Sequence, residues 1–222
     1  MVNIKLLFII LENGYDKEIK YLLNKYGIKV KTVTNAKGTA SKSVLSYFGL
    51  SETEKDVYMA IVPDFLSNNI LLEIEQSFNL DEYGTGVAFT IPIASSNKFL
   101  STTFKQETYS GSDKPMENKI NFYLIITIVS EGYLEQVMTA AKRAGSSGGT
   151  AIKGRGLAGK EAVKILGFNI EQEKDIVLNI VSEQDKTKVM QEITKEVGIK
   201  TKGKGVCIAL PIDATVGIDD KE

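Results

Sequence analysis

One stretch of the sequence combines glycine and lysine at a spacing that suggests phosphate binding. In GGTAIKGRGLAGK, residues 148–160, four residues separate Gly154 from the pair Gly159-Lys160. A P-loop has this spacing followed by Ser or Thr, whose hydroxyl holds the Mg²⁺ of the bound nucleotide. Glu161 occupies that position here. Because the match fails at the metal-binding residue, the role of these glycines depends on the elements around them.

The composition argues against several kinds of site. The chain of 222 residues is 43% hydrophobic and 25% charged, with no histidine and a single cysteine, Cys207. Zinc and other transition-metal sites are built largely from His and Cys, so we predict no metal site and no internal disulfide. The sequence likewise offers no His as a catalytic base. Cys207 lies in the apolar run VCIALPI, and we interpret it as a small hydrophobic packing residue.

Charge and hydropathy make nucleic acid and membranes poor candidates for partners. The formal net charge of −1 gives the chain no general attraction to phosphate backbones or anionic lipid. The first apolar run, IKLLFIILENG, is too short for a membrane span or a signal peptide. We therefore expect a cytoplasmic protein with no nucleic-acid partner and no membrane insertion.

The second half of the chain repeats the first with a displacement of about 118 residues. After a one-residue insertion, Glu54-Lys55-Asp56 matches Glu173-Lys174-Asp175. The repeat predicts a domain over residues 1–94, a polar linker over 95–119 and a second domain over 120–222. The residues that recur before the insertion include Asn3, Gly14, Tyr15, Gly27, Gly38 and Gly49, which match Asn121, Gly132, Tyr133, Gly145, Gly156 and Gly167.

Each half shows the same order of apolar patterns. VNIKLLFIIL and INFYLIITIV are typical of buried strands, as are DVYMAIV, DIVLNIV and the final VAFTIPI and VCIALPI. Between them, apolar residues recur at helical spacing in two places. The pattern predicts βαββαβ twice, an α+β fold of two tandem ferredoxin-like domains with antiparallel sheets and both helices on one face. The helical apolar residues are Ile19, Leu22, Leu23, Tyr26, Ile70, Leu71, Ile74 and Phe78 in one half, and Val137, Ala140, Ala141, Ala144, Val189, Met190, Ile193 and Val197 in the other.

This arrangement argues against a P-loop and in favour of oligomers. Residues 154–160 would connect two antiparallel neighbours, whereas a P-loop connects a parallel strand to its crossover helix. The sheet face without helices is apolar and would be open, so we expect a homo-oligomer.

Three local matches suggest a family. TAIKGRG (150–156), GIKTKGKG (198–205) and IALPID (208–213) resemble the base of the long T-loop, the glycine-rich B-loop and the last strand of the PII nitrogen regulatory signal-transduction proteins. The chain resembles that domain twice over. The resemblance implies a non-enzymatic regulator in which three domains form a trimer and ATP or ADP lies in the clefts between neighbours. Three chains would then give two stacked trimeric rings.

The resemblance also implies which residues bind the effector. Backbone N–H groups of the glycine turns would form anion-binding nests, and lysine and arginine would add charge. Asn35-Ala36-Lys37 replaces Lys-Gly-Arg in the first copy, so we expect a degenerate site there. The implied residues are Thr150, Lys153, Gly154, Arg155, Gly156, Lys174, Gly203, Lys204 and Gly205, with first-copy equivalents Gly38, Lys55, Gly84, Thr85 and Gly86.

The sequence departs from the family at three cationic positions. Leu157-Ala158 and Val206 replace cationic or polar residues of the pocket, and the tail ATVGIDDKE replaces paired arginines. A less charged nucleotide such as AMP, or another small anion, is therefore a candidate effector, and binding of 2-oxoglutarate in the family's manner is not expected.

The leading hypothesis is a sensor whose 157–172 loop contacts a regulated partner protein when an effector binds. The alternative is another ferredoxin-like module, either an ACT-like amino-acid sensor or a cation-tolerance protein of the CutA type. An enzyme is disfavoured, because the acidic pairs Asp219-Asp220 and Glu171/Glu173 are typical of solvated tail and loop charges.

Overall fold

A computed structural model describes residues 3–39, 53–82, 84–96, 121–156, 163–165, 168–170 and 173–218. Most of the predicted linker and most of the 157–172 loop lie outside these residues. The chain divides into two units. The first unit comprises Met1–Asn35, Glu54–Asn121 and Pro211–Glu222, and the second comprises Ala36–Thr53 and Phe122–Leu210.

The first unit has the strand order of a ferredoxin-like sheet. Its strands are hydrogen-bonded in the order β2-β3-β1-β4-β11, and β1 is antiparallel to both β3 and β4. Ile9 of β1, for example, lies opposite Tyr58 and Ala88. The predicted βαββαβ order is confirmed. The elements in chain order are β1 (Ile4–Glu12), α1 (Asp16–Lys25), β2 (Lys31–Gly38), β3 (Thr53–Pro63), α2 (Asp64–Phe78), β4 (Gly86–Pro92) and β11 (Ala214–Val216).

Both helices of this unit pack on one face of its sheet. Alternate residues of β1 point to that face, where Leu7 and Ile9 share one buried cluster with Leu23 of α1 and Ile70 of α2. The predicted helical stripes therefore form the core. The opposite face is also apolar, and Phe8 stacks on Phe89 there with ring centroids 5.1 Å apart.

The second unit repeats this arrangement. Its strands follow the order β10-β5-β9-β6, and β9 is antiparallel to β5 and β6, with Gly154 opposite Lys174. Lys37 and Gly38, the last residues of β2, belong to this unit and pair with β6, where Gly38 lies opposite Thr150. The elements are β5 (Phe122–Ser130), α3 (Leu134–Arg143), β6 (Thr150–Arg155), β7 (Val163–Ile165), β8 (Phe168–Ile170), β9 (Glu173–Ser182), α4 (Glu183–Val197) and β10 (Val206–Ile212).

The helix-side core of the second unit includes the single cysteine. Ile125 of β5, Ala141 of α3 and Ile193 of α4 share one buried cluster, and Cys207 packs against it half-buried. Burial raises the pKa of the Cys207 thiol, although a hydrogen bond from the Thr127 hydroxyl acts in the opposite direction. The thiol is therefore held in its neutral form as a packing group.

The other face of the second sheet is exposed at one edge. Because Cys207 packs toward the helices, Val206 and Ile208 point the other way along β10. Their exposed fractions are 52% and 48%, and that of Ile128 on β5 is 42%. The residues that match Ile128 and Ile208 in the first unit, Ile10 and Phe89, are 6% and 0% exposed.

Glycines end the first helix of each unit, as predicted. Gly27 follows α1 with φ +70° and Gly145 follows α3 with φ +114°. Both lie in the left-handed region that glycine adopts without strain. None of the described helices is long and apolar enough to cross a membrane.

The two units do not coincide with the two halves of the sequence, because each unit is built from separate segments of the chain. Residues 36–53 belong to the second unit, and 211–222 belong to the first, where β11 pairs with β4. No sequence pattern predicted β11, since a strand of three residues is too short to show a period. The boundaries at 94 and 120 describe the sequence repeat and remain predictions.

A buried ion pair joins this returning segment to the first sheet. Lys5 is 8% exposed, and its Nζ lies 2.5 Å from Asp213 Oδ2 and 2.8 Å from Asp64 Oδ1. The Thr90 hydroxyl donates to the other Asp213 oxygen at 2.7 Å. Burial alone would lower the pKa of Lys5, but the bonds to Asp213 and Asp64 outweigh it and raise that pKa.

Replacing Asp213 is expected to destabilise the first unit more than replacing Asp64. Asp213→Ala removes a charged partner of buried Lys5 and the acceptor of Thr90, and we expect a loss of about 2–3 kcal/mol. Asp64 is 46% exposed, so Asp64→Ala should cost less than about 1 kcal/mol. Urea unfolding followed by circular dichroism measures both. Equal losses would contradict the described role of the 211–218 segment.

Candidate functional site

Four strand ends meet at one end of the second unit's sheet. Antiparallel pairing places Ser130 at the end of β5 opposite Lys174, and Arg155 at the end of β6 opposite Glu173. The turn before β10 joins them, because the N–H of Ser130 donates to the carbonyl of Gly203 at 3.0 Å. We call this region, formed by residues 130–131, 153–156, 173–175 and 203–205, the sheet-end site.

A buried carboxylate holds the site together. Asp175 is 1% exposed, and its Oδ2 accepts the N–H of Gly132 at 3.2 Å. Its Oδ1 lies 2.8 Å from the Nζ of Lys153, its neighbour across the strands. Lys153 also approaches Glu131 at 3.4 Å. The hydrogen bond to Asp175 raises the pKa of Lys153 above its usual value, although partial burial acts against it. In this conformation Lys153 neutralises acids of the protein itself.

Three other cations lie around the same sheet end. Lys174 is half-buried and donates to the Ser130 hydroxyl at 3.3 Å. Arg155 and Lys204 are exposed. Arg155 is at the point where β6 leads into the 157–172 loop, and Lys204 is in the glycine turn. Charge-assisted hydrogen bonds from such side chains are the strong contacts available to a phosphate or carboxylate.

The glycine turn has a packing role that sequence reasoning missed. A Cβ on Gly205 would lie 2.5 Å from the carbonyl oxygen of Val197, and one on Gly203 would lie 3.2 Å from Cδ1 of Tyr133. The position of Gly205 therefore requires glycine for close approach to backbone, while a side chain at the position of Gly203 would need its neighbours to shift slightly. Lys204 between them has φ +47°, in the left-handed region.

The amides of this turn donate to acceptors within the second unit. The N–H of Gly205 donates to Val197 O at 2.6 Å, that of Lys204 to Thr201 O at 3.3 Å, and that of Gly203 to the Thr201 hydroxyl at 3.2 Å. Since these donors have partners, an anion beside the turn in this conformation would be held mainly by side chains.

Two of the residues singled out in the sequence lie elsewhere in the second unit. Thr150 begins β6, at the opposite end from Arg155, about 16 Å away along the strand. It is buried and pairs with Gly38. The structure thus brings Gly38 and Thr150 to each other and not to the sheet-end site. The remaining predicted residues of the second copy gather at that site.

Apart from Gly38, the first-copy equivalents lie at the matching sheet end of the first unit. Lys55 lies 3.8 Å from Glu12, and the Thr85 hydroxyl between Gly84 and Gly86 donates to the carbonyl of Glu82 at 2.8 Å. A Cβ on Gly86 would lie 2.5 Å from Ile10 O, so this glycine also serves close packing.

Asp56 of the first unit has the place of Asp175 but different partners. Its Oδ2 accepts the N–H of Gly14 at 3.1 Å, matching the bond to Gly132. The hydroxyl of Tyr58 lies 3.4 Å from Asp56 and donates to Asp16 at 3.0 Å. Burial and the adjacent carboxylates raise the pKa of Tyr58 well above its usual value. The buried acid is therefore approached by a neutral phenol, where the second unit uses an ammonium.

The structure describes only part of the 157–172 loop. This loop connects the end of β6 at Arg155 to the start of β9 at Glu173, and we call these two strand ends the feet of the loop. β7 and β8 form an antiparallel hairpin, with Lys164 opposite Asn169, within the predicted 157–172 partner-contacting loop. The rest of that loop lies outside the described residues. Among the residues that the structure describes, no three His, Cys, Asp or Glu side chains are grouped to hold a metal ion.

Among known proteins, the chain matches solved structures only. No family model and no curated protein matches the chain. One matching structure is CPII, a nitrogen regulatory PII-like protein from Thiomonas intermedia K12, bound to ADP, AMP and bicarbonate. CPII is 26% identical to this chain, with a TM-score of 0.35, and the match covers 43% of this chain and 94% of that chain. PII from Arabidopsis thaliana bound to citrate is 20% identical, with a TM-score of 0.33 over 44% of this chain and 81% of that chain.

A third match is a Bacillus cereus protein related to NIF3, 14% identical with a TM-score of 0.34 over 44% of this chain and 27% of that chain. Each of the three covers less than half of this chain. The fold assignment therefore rests on the strand order and register described above.

The close packing of the glycine turn predicts a difference between two glycine variants. Gly205→Ala should destabilise the second unit by about 1–3 kcal/mol, because the new Cβ meets backbone. Gly154→Ala should stay within about 0.5 kcal/mol, because the nearest atom is the flexible end of Ile176 at 3.1 Å. Denaturant midpoints measure both. A stable Gly205→Ala variant would show that this glycine is not required for packing.

Proposed function

We propose that the protein is a non-enzymatic, PII-like regulator in which the sheet-end site binds a small anion, an adenine nucleotide in the first instance. The observation that carries the proposal is that Arg155, Lys174 and Lys204 lie at the same end of one four-stranded sheet, at the two ends of the 157–172 loop and in the glycine turn. These residues match the positions for which the sequence resembles the T-loop base and B-loop. They offer charge and hydrogen-bond donors for phosphate.

The geometry of the loop feet suggests how binding would act. β6 ends at Arg155 and β9 begins at Glu173, which lie opposite each other, so the two feet of the loop are adjacent. A phosphate that contacts Arg155 on one foot and Lys174 on the other would restrict the loop's starting direction. Binding then favours one set of loop conformations, and a partner protein that contacts the loop responds to the effector.

The two units are proposed to differ in ligand binding. Near the end of β2 the first copy has Asn35-Ala36-Lys37 in place of Lys-Gly-Arg, and Gly38 pairs with Thr150. The common strand order and the matching Asp56–Gly14 and Asp175–Gly132 bonds support an origin by duplication. We propose that the second unit kept the effector site, in a cytoplasmic protein.

Calorimetric titration tests the nucleotide proposal. With ATP, ADP, AMP and cyclic AMP as probes, we expect at least one to bind, and Arg155→Ala and Lys204→Ala each to weaken it about tenfold through loss of a charge-assisted contact. Lys55→Ala, at the position of Lys174 in the first unit, is the matched control and should leave binding unchanged. No heat with any nucleotide, or equal affinity in all variants, would contradict the proposal.

The exposed apolar edge of the second sheet supports a homo-oligomer, for which we propose a trimer. Ile128, Val206 and Ile208 form an exposed apolar patch of the kind that mediates association. Ile208→Glu should lower the mass measured by light scattering. The control is Ile199→Glu, at a 65% exposed position in the turn after α4. A monomeric protein, or an unchanged mass in Ile208→Glu, would rule out this interface.

A further inference from the structure

The two helices of the first unit leave a groove of about 460 Å³ between them. Tyr15, Tyr21 and Phe78 line it together with Leu22. Tyr15 and Phe78 meet edge to face with ring centroids 5.3 Å apart. Tyr21 is 76% exposed and Tyr15 is 40% exposed. Aromatic rings that remain exposed along a concave surface are typical of ligand sites.

The side chains that α1 turns toward α2 are larger than those at the matching positions of the second unit. There α3 and α4 are in close contact through small side chains. The face that carries Ala140, Ala141 and Ala144 on α3 carries Leu22, Leu23 and Tyr26 on α1, and larger side chains hold helices further apart. α1 and α2 are joined by the Tyr15–Phe78 contact and by Glu73, which accepts from Lys25 at 2.7 Å and from the Tyr26 hydroxyl at 2.6 Å.

The charges along the groove have opposite signs. Glu73 already has two partners, and although burial would raise its pKa, the bonds from Lys25 and Tyr26 outweigh this and lower it. Lys17 and Glu18 also line the groove, and neither has an ion-pair or side-chain hydrogen-bond partner among the residues that the structure describes. One ammonium and one carboxylate therefore remain available beside an apolar, aromatic wall.

We propose that this groove binds a free α-amino acid with an apolar side chain. Its carboxylate would contact Lys17 and its ammonium Glu18, where a tyrosine face adds a cation–π contribution. Its side chain would pack against Tyr15, Phe78 and Leu22. A ligand with one charge would leave one of the two groups unpaired, so complementarity selects a zwitterion. This site is separate from the sheet-end site and gives the first unit a ligand of its own.

The test uses the full chain and L-leucine and L-phenylalanine as probes in calorimetric or NMR titrations. Isopentylamine and 4-methylpentanoate, which keep the leucine side chain with only one of the charges, are the ligand controls. We expect saturable binding of at least one amino acid, and binding about tenfold weaker for each single-charge analogue of leucine and for Lys17→Met and Glu18→Gln. Lys20→Met, on the same helix but outside the groove lining, should bind as the unmodified protein does.

These variants replace exposed side chains, so we expect them to fold. Thermal unfolding midpoints equal to that of the unmodified protein would verify this. The proposal is overturned if neither amino acid binds saturably at millimolar concentration. It is also overturned if Lys17→Met and Glu18→Gln bind as tightly as Lys20→Met, or if an analogue binds as tightly as leucine.

Discussion

A buried aspartate at the start of the third strand organises the same sheet end in each unit. Asp56 and Asp175 accept the N–H of Gly14 and Gly132, the glycines that follow the first strand of their units. An unpaired buried carboxylate would be costly, so the turn, the strand start and a third partner are held together around it. In the second unit that third partner is Lys153, which ties the foot of the 157–172 loop to the same carboxylate.

The choice of third partner separates the two units chemically. The neutral hydroxyl of Tyr58, which donates to Asp16, lies beside Asp56, while Lys153 brings a cation to Asp175 beside Arg155 and Lys174. The helix faces differ as well, since α3 contributes small alanines to the buried cluster that it shares with α4, whereas α1 contributes larger residues to the cluster that it shares with α2. One topology thus supports two different surfaces, a cationic sheet end in the second unit and an aromatic groove in the first.

The order of elements could be predicted from the sequence because it depends on periodic apolar residues and on glycines that end helices. The antiparallel pairing of β6 with β9 followed from the same patterns, and with it the argument against a P-loop. The sequence could not predict β11, nor that residues 36–53 belong to the second unit and residues 211–222 to the first. No local pattern indicates which edge of a sheet a short strand will join.

The sequence predicted which lysine, arginine and glycine residues lie at the sheet-end site, but not the contacts that they make. The matches TAIKGRG and GIKTKGKG identified the loop foot and the glycine turn, but a motif does not state which partners its groups already have. Lys153 is engaged by Asp175, and Gly205 is needed for close packing against Val197. Thr150 was included because it belongs to the motif, yet it lies at the other end of its strand.

The most direct test of the sheet-end site is hydrogen–deuterium exchange of the full chain with and without saturating nucleotide. The account predicts slower exchange of amides in residues 154–156, 173–175 and 203–205, with residues 12–14 and 84–86 of the first unit unchanged. Protection confined to the first unit, or none at the second unit's sheet end, would contradict it.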